Sequence, residues 1–137
     1  MIRLSTHLEF NGQCAAALRF YERVLGGKIR FMMTYGESPI AAQTPSEWLE
    51  KIIHATFVLG DRTLSATDSW REDFRKAQGF AVTLDIDDAE EADRVFAALS
   101  ESASIGMPIQ ETFWAQRFGM LVDQFGIPWM INCSKPT

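Results

Sequence analysis

Residues Thr112–Cys133 read TFWAQRFGMLVDQFGIPWMINC. Two apolar runs, Phe118–Val122 and Pro128–Cys133, flank a short break at Asp123-Gln124-Phe125-Gly126. Asp favours turns through its own side chain and Gly reaches positive φ without steric cost, so the stretch predicts a β-hairpin. Its lead-in, a loop before the hairpin, carries Phe113, Trp114 and Arg117 on a segment expected to be exposed. A second pair of β-prone runs, Ile52–Leu59 and Arg62–Asp68 around Gly60-Asp61, repeats the pattern earlier in the chain.

The segments before each hairpin repeat as well. Ile2–Phe10 alternates, with Leu4, Thr6, Leu8 and Phe10 on one face and Arg3, Ser5, His7 and Glu9 on the other. Asn11 is a good N-cap for a helix whose stripe is Cys14, Ala17, Leu18, Tyr21, Val24 and Leu25, and Gly26-Gly27 ends it. Lys28–Thr34 predicts a strand with Ile29, Phe31 and Met33 on one side. Tyr35–Pro45 reads as a loop, followed by a short helical turn up to Lys51. After a polar link over about 69–78, Phe80–Ile86 alternates again. Asp88-x-x-Glu91 resembles a capping box, and Ala92, Val95, Phe96 and Leu99 form a second helical stripe. Ser104–Met107 predicts a short strand before the closing hairpin.

Each half therefore reads strand, helix, strand, strand, strand. The expectation is an α+β fold of two βαβββ modules, about 1–68 and 79–137, forming curved mixed sheets within a single domain spanning 1–137. One helix covers one face of each sheet. The other face is left for a ligand or a partner.

Composition narrows the function classes. The chain has 137 residues, 47% of them hydrophobic, which supports a sizeable core. Thirteen Lys and Arg against 18 Asp and Glu give a net charge of −5, and the basic residues are scattered, so nucleic acid is not an expected partner. No apolar run is long enough to span a bilayer, and the N-terminus lacks the apolar stretch of a signal peptide, so no membrane partner is expected either. Cys14 and Cys133 make no metal-type spacing and read as buried reduced thiols of a cytoplasmic protein, with a disulfide as the alternative.

Strand parity assigns the open faces. Away from the helices they offer Ser5, His7, Glu9, His54, Thr56, Thr63, Ser65, Thr67, Thr83 and Asp85, a polar lining dominated by hydroxyls and suited to hydrogen-bonding a small polar or aromatic molecule. His7 and Glu9 are the catalytic candidates, because a carboxylate beside an imidazole holds its tautomer and raises its basicity; the alternative is a rim ion pair or a dimer contact. His54 serves either as a ligand contact or as a structural histidine. Arg117 and Trp114 offer an anion grip and a stacking surface, or else an Arg117–Asp123 pair across the hairpin and a Trp114 subunit contact. Tyr35, Glu37 and Trp48 form either a lid or a solvated loop. The ligand-binding set is thus His7, Glu9, His54, Thr56, Ser65, Trp114 and Arg117.

The repeat, with LEFNGQCAAALRFYERVLGGKI, IIHATFVLGDRTLSATD, DDAEEADRVFAALS and MPIQETFWAQRFGMLVDQFGIPWMINC, resembles the vicinal oxygen chelate superfamily of glyoxalases, bleomycin-resistance proteins and extradiol dioxygenases, and within it the PhnB-like branch. The resemblance covers nearly the whole chain and implies a homodimer with a cleft in each unit. The branch carries the label of a demethylubiquinone methyltransferase, yet the chain has no glycine-rich strand–helix turn for adenosylmethionine. Metal-dependent relatives draw His, Glu or Gln ligands from four strands, and the corresponding positions fall near Ser5, Ser65, Ala81 and Met130. None suits a divalent metal, so the resemblance implies that the usual metal site is lost. The leading expectation is metal-free binding of an unidentified small molecule, with no cofactor. One alternative is a metal-dependent lyase, isomerase or dioxygenase holding one divalent ion through His7, Glu9 and His54. The other is a structural or regulatory dimer with a filled cleft.

Overall fold

The structure is a computed structural model that describes residues 1–70 and 72–136. It divides into two compact units, Met1–Arg75 and Lys76–Thr137.

In the first unit, β1 (Thr6–Phe10), α1 (Cys14–Leu25), β2 (Lys28–Thr34), β3 (Ile52–Leu59) and β4 (Arg62–Asp68) form a mixed sheet of order β1-β4-β3-β2. The β1–β4 pair is parallel and the others antiparallel. Cys14, Ala17, Leu18, Phe20, Tyr21 and Val24 of α1 are buried over Leu8, Phe10, Ala55, Phe57 and Ala66. Each large apolar side chain so buried contributes about 1.5–3 kcal/mol before the entropy of ordering it. Gly26 closes the helix in the left-handed conformation, as expected.

The second unit repeats the order: β5 (Val82–Asp85), α2 (Ala89–Leu99), β6 (Ser104–Gln110), β7 (Ala115–Val122) and β8 (Pro128–Ser134), arranged β5-β8-β7-β6. Ala92, Val95, Phe96 and Leu99, the stripe read from the sequence, are the buried residues of α2. In the closing hairpin Gly126 has φ +88° and donates to the Asp123 carbonyl at 3.0 Å, which is the turn the sequence calls for.

Several details depart from expectation. β1 begins at Thr6, and Met1–Ser5 lie exposed beyond the sheet. The first turn of α1 is not capped by Asn11. Instead the Asp68 carboxylate, 54 residues from Cys14, accepts from the amides of Gly12 (2.9 Å) and Cys14 (3.0 Å). Asp88 does cap α2, accepting from the Glu91 amide at 2.9 Å. Ile29, Phe31 and Met33 do not share a face: Ile29 pairs with buried Phe57, whereas Phe31 and Met33 pair with Thr56 and His54 across a register shift. A bulge inverts parity, since one extra residue moves each later side chain to the other face. The loop after β2 carries three short 3-10 turns, Tyr35–Glu37, Ala41–Gln43 and Ser46–Trp48. Among the described residues no helix is long and apolar enough to cross a membrane.

Candidate functional site

The open face of the first sheet is built from consecutive cross-strand partners. His7 of β1 lies opposite Ser65 of β4, Ser65 opposite Thr56 of β3, and Thr56 opposite Phe31 of β2. This makes one row across all four strands. Alternation sends Leu8, Ala55, Phe57 and Ala66 to the helix and leaves the row facing outward. His7 Nδ1 and Ser65 Oγ are 2.7 Å apart and share a hydrogen bond. A neighbouring row places Glu9 opposite Thr67 and His54 opposite Met33. The His54 ring tilts against Phe31, with centroids 5.9 Å apart.

His7 and Glu9 do not act on each other as the sequence suggested. Residues two apart on a strand are separated by roughly 6–7 Å, whereas cross-strand neighbours stand closer, and the closer partners win. Ser65 holds the His7 ring, and the Glu9 carboxylate accepts from the Ser69 hydroxyl. The Thr67 hydroxyl is likewise engaged, donating to the Ile53 carbonyl at 2.7 Å. Sequence reading missed Phe31 and Ser69. The β2 register shift hid Phe31, and Ser69 lies just past the end of β4 in the assigned link.

Arg117 lies within β7, not on a loop, opposite buried Cys133 and so on the helix-bearing face. Its Nε pairs with Asp93 of α2 at 3.0 Å and its Nη1 donates to the Gln116 carbonyl. Asp123, its expected alternative partner, instead accepts from the amides of Phe125 and Ile127 and from the Trp129 indole. Trp114 belongs to an edge-to-face run with Phe113 (4.7 Å) and Phe118 (5.4 Å) in the second unit. The structure thus gathers His7, Glu9, His54, Thr56 and Ser65 on one sheet face, and sets Arg117 and Trp114 in another unit.

The loop residues are anchors. Tyr35 and Trp48 are buried, the Tyr35 hydroxyl donates to the Asp68 carbonyl at 2.7 Å, and Trp48 stacks on Trp70. The Glu37 carboxylate accepts from the Thr34 amide and hydroxyl, both at 2.9 Å, and these bonds hold its pKa below the ordinary carboxylate value. Cys14 and Cys133 are buried free thiols. Burial, reinforced by the Asp68 charge, pushes the Cys14 thiol far up, which makes it a poor nucleophile.

The corresponding face of the second sheet has different chemistry. Thr83 lies opposite Met130, Met130 opposite Met120, and Met120 opposite Met107. Three thioethers stand where the first unit has hydroxyls and an aromatic ring. Beside them an open concavity of about 490 Å³ is lined by residues that include Phe80, Ile105, Met120, Val122 and Met130. Asp85 is tied to Asn132, whose amide nitrogen is 3.1 Å away.

Metal ligation fits this framework poorly. Among the described residues no group of three or more His, Cys, Asp or Glu stands close enough to hold a metal, so His7, Glu9 and His54 do not converge as a ligand set. Of the facing pairs His7–Ser65 and Thr83–Met130, only His7 carries a strong donor for a borderline metal.

Comparisons with known proteins agree with the geometry. A family model described as 3-demethylubiquinone-9 3-methyltransferase matches residues 3–132. Protein YjdN of Escherichia coli is 35% identical, covering 96% of this chain and 95% of its own. The crystal structure of protein PA1353 from Pseudomonas aeruginosa superposes with a TM-score of 0.90 at 38% identity, over 99% of this chain and 100% of that one. A putative 3-demethylubiquinone-9 3-methyltransferase, PhnB protein, from Bacillus cereus gives a TM-score of 0.83 at 25% identity, over 97% and 100%. A βαβββ unit used twice, with a helix on one face of each sheet, is the fold of glyoxalase/bleomycin-resistance/dioxygenase proteins, and the matches over nearly the whole length place the chain in the PhnB-like family.

Proposed function

We propose that this chain binds a small polar or aromatic molecule on the open face of its first sheet, without a metal, as a cytoplasmic homodimer. The row His7–Ser65–Thr56–Phe31 carries the reading. It offers an imidazole whose Nδ1 is fixed by Ser65, two hydroxyls able to donate or accept, and a half-exposed ring to stack on. His54 and Glu9 flank the row and select among polar substituents. The buried free thiols are consistent with a reducing compartment, and homodimerisation follows the superfamily resemblance.

The methyltransferase description attached to the family is not supported by these residues. Methyl transfer requires adenosylmethionine, whose charged groups bind well at free helix N-termini or glycine-rich strand–helix turns. Here the Asp68 carboxylate already occupies the amides of Gly12 and Cys14, and each unit contains a single parallel strand pair.

The test is a binding screen by protein-observed NMR with a library of small polar aromatic molecules. Hits should perturb His7, His54, Thr56 and Ser65, and His7→Ala and Ser65→Ala should each weaken them about tenfold, the worth of one hydrogen bond. Hits confined to other residues would overturn the assignment. A tightly held divalent ion, one per chain in protein purified without chelator, would overturn its metal-free part.

A further inference from the structure

Three methionines stand directly opposite one another on consecutive strands of the second sheet: Met130 of β8, Met120 of β7 and Met107 of β6. Met130 lies between buried Trp129 and Ile131, and Met120 between buried Gly119 and Leu121, so alternation turns both away from α2. Met107, paired with Met120, shares that face. None of the three is buried, and Met120, at the centre, is 37% exposed. Met120 and Met130 also line the open concavity of about 490 Å³, which gives a small ion a way in.

Directly opposite residues have β-carbons about 5 Å apart, so the outer two methionines span about 10 Å, and each can swing its sulfur toward Met120 on a flexible, unbranched arm. Leu, Ile or Val would cover an apolar face equally well and carry no donor atom. Three thioethers are neutral, polarizable donors, which disfavour hard divalent ions and suit a soft monovalent one. The second unit holds four Lys and Arg against nine Asp and Glu, a balance that favours a cation there over an anion. A rival in the first unit is Met33 opposite His54, with two soft donors instead of three.

We propose that Met107, Met120 and Met130 form a binding site for one Cu(I) ion, held by three thioether sulfurs without change of its oxidation state. The site goes beyond the polar row of the first sheet and is independent of it. The ion takes no part in the metal-free binding proposed there.

The test uses the full chain with isotope-labelled methionine methyl groups and two probes. One is Ag(I), which shares the donor preference and does not change oxidation state; the other is Cu(I) kept reduced in the absence of oxygen. The methyl signals of Met107, Met120 and Met130 should move together and stop moving at one equivalent of Ag(I), while those of Met32 and Met33 stay. Met120→Leu keeps volume and apolarity, so it should preserve the fold and weaken Cu(I) binding about tenfold or more, read by competition with a chromogenic Cu(I) chelator. Three unmoved signals overturn the site, whether the ion stays free or is captured by Met33, Cys14 or Cys133. An unchanged Cu(I) affinity in Met120→Leu overturns it too.

Discussion

Asp68 shows how much one side chain organises. Its carboxylate is 1% exposed and accepts from the amides of Gly12 and Cys14 through one oxygen and from Ile52 through the other, at 2.9–3.0 Å. One residue therefore ties the start of α1 to the start of β3. Asp68→Ala would strand three amides, each costing about 1–3 kcal/mol if left unsatisfied, partly relieved where water enters. We expect a loss of about 3 kcal/mol or more in denaturant unfolding, and a loss under 1 kcal/mol would show that the amides find other partners. The same charge bears on Cys14, whose ionisation burial and Asp68 both oppose. Native protein at pH 8 should react with a thiol-specific disulfide reagent orders of magnitude more slowly than denatured protein, and prompt native reaction would contradict the placement of Cys14. Glu37 has the opposite sign. Its pKa is lowered in the folded chain, so its contribution is present above the ordinary carboxylate value and fades as pH falls through the folded one. A carboxyl titration by NMR should place the Glu37 midpoint below the ordinary glutamate value, and a midpoint at or above that value would contradict the Thr34 bonds. The roles of Asp68 and Cys14 were not legible from spacing alone, because they depend on contacts between residues far apart in sequence, whereas the Thr34–Glu37 pair is a local three-residue spacing. Asp68 could be read as a capping residue, but not that the helix it caps begins 54 positions away.

At the scale of elements the sequence was a better guide. The bounds of β2, β3 and β4 and the stripe of α2 match those read from the sequence, since β-prone runs between turn residues and helical spacing of apolar residues both mark elements that bury one face. What failed was parity across the β2 register shift, and with it the place of Phe31 in the row, while Arg117, read as a loop residue, lies inside β7 because that strand starts earlier than expected. A bulge leaves no residue signature in a strand of apolar residues such as KIRFMMT. The polar row was nevertheless largely readable, since His7, Thr56 and Ser65 occupy unshifted pairs. The methionine face escaped notice because attention to hydroxyls and carboxylates passes over thioethers. Helix-to-sheet packing in the second unit turns on Gly119, where a β-carbon would sit 2.6 Å from Phe96 Cε2 and 3.1 Å from Ile109 Cα. Gly119→Ala must push α2 outward or rotate Phe96 off its rotamer, a cost of about 1–3 kcal/mol for overpacking. Phe96→Leu in the same chain should recover part of it. If the double variant is less stable than the sum of the two single changes, the clash is not the cause.

Across the whole molecule, one topology appears twice with different open faces. The first unit is electrically balanced and presents imidazoles and hydroxyls, while the second carries the net charge of −5 and presents methionines and aromatic rings. A repeat preserves its helix-facing residues because the core demands them, whereas the open face answers only to what binds there. Divergence there is the expected trace of divided roles, and it bears on metal dependence. A two-module metal site needs donors from both faces, and the facing pair Thr83–Met130 supplies no nitrogen or carboxylate. Metal binding to the native state can be read as stability, because a ligand at a thousandfold its dissociation constant adds about 4 kcal/mol. Zinc, nickel, manganese and magnesium, each at 1 mM, should therefore leave the unfolding midpoint of this protein within about a degree of its value in chelator. A rise of several degrees with one metal, abolished by His7→Ala, would mean that His7 recruits donors this geometry does not bring together. The same rise surviving His7→Ala would place the metal elsewhere and leave the polar row to a metal-free ligand.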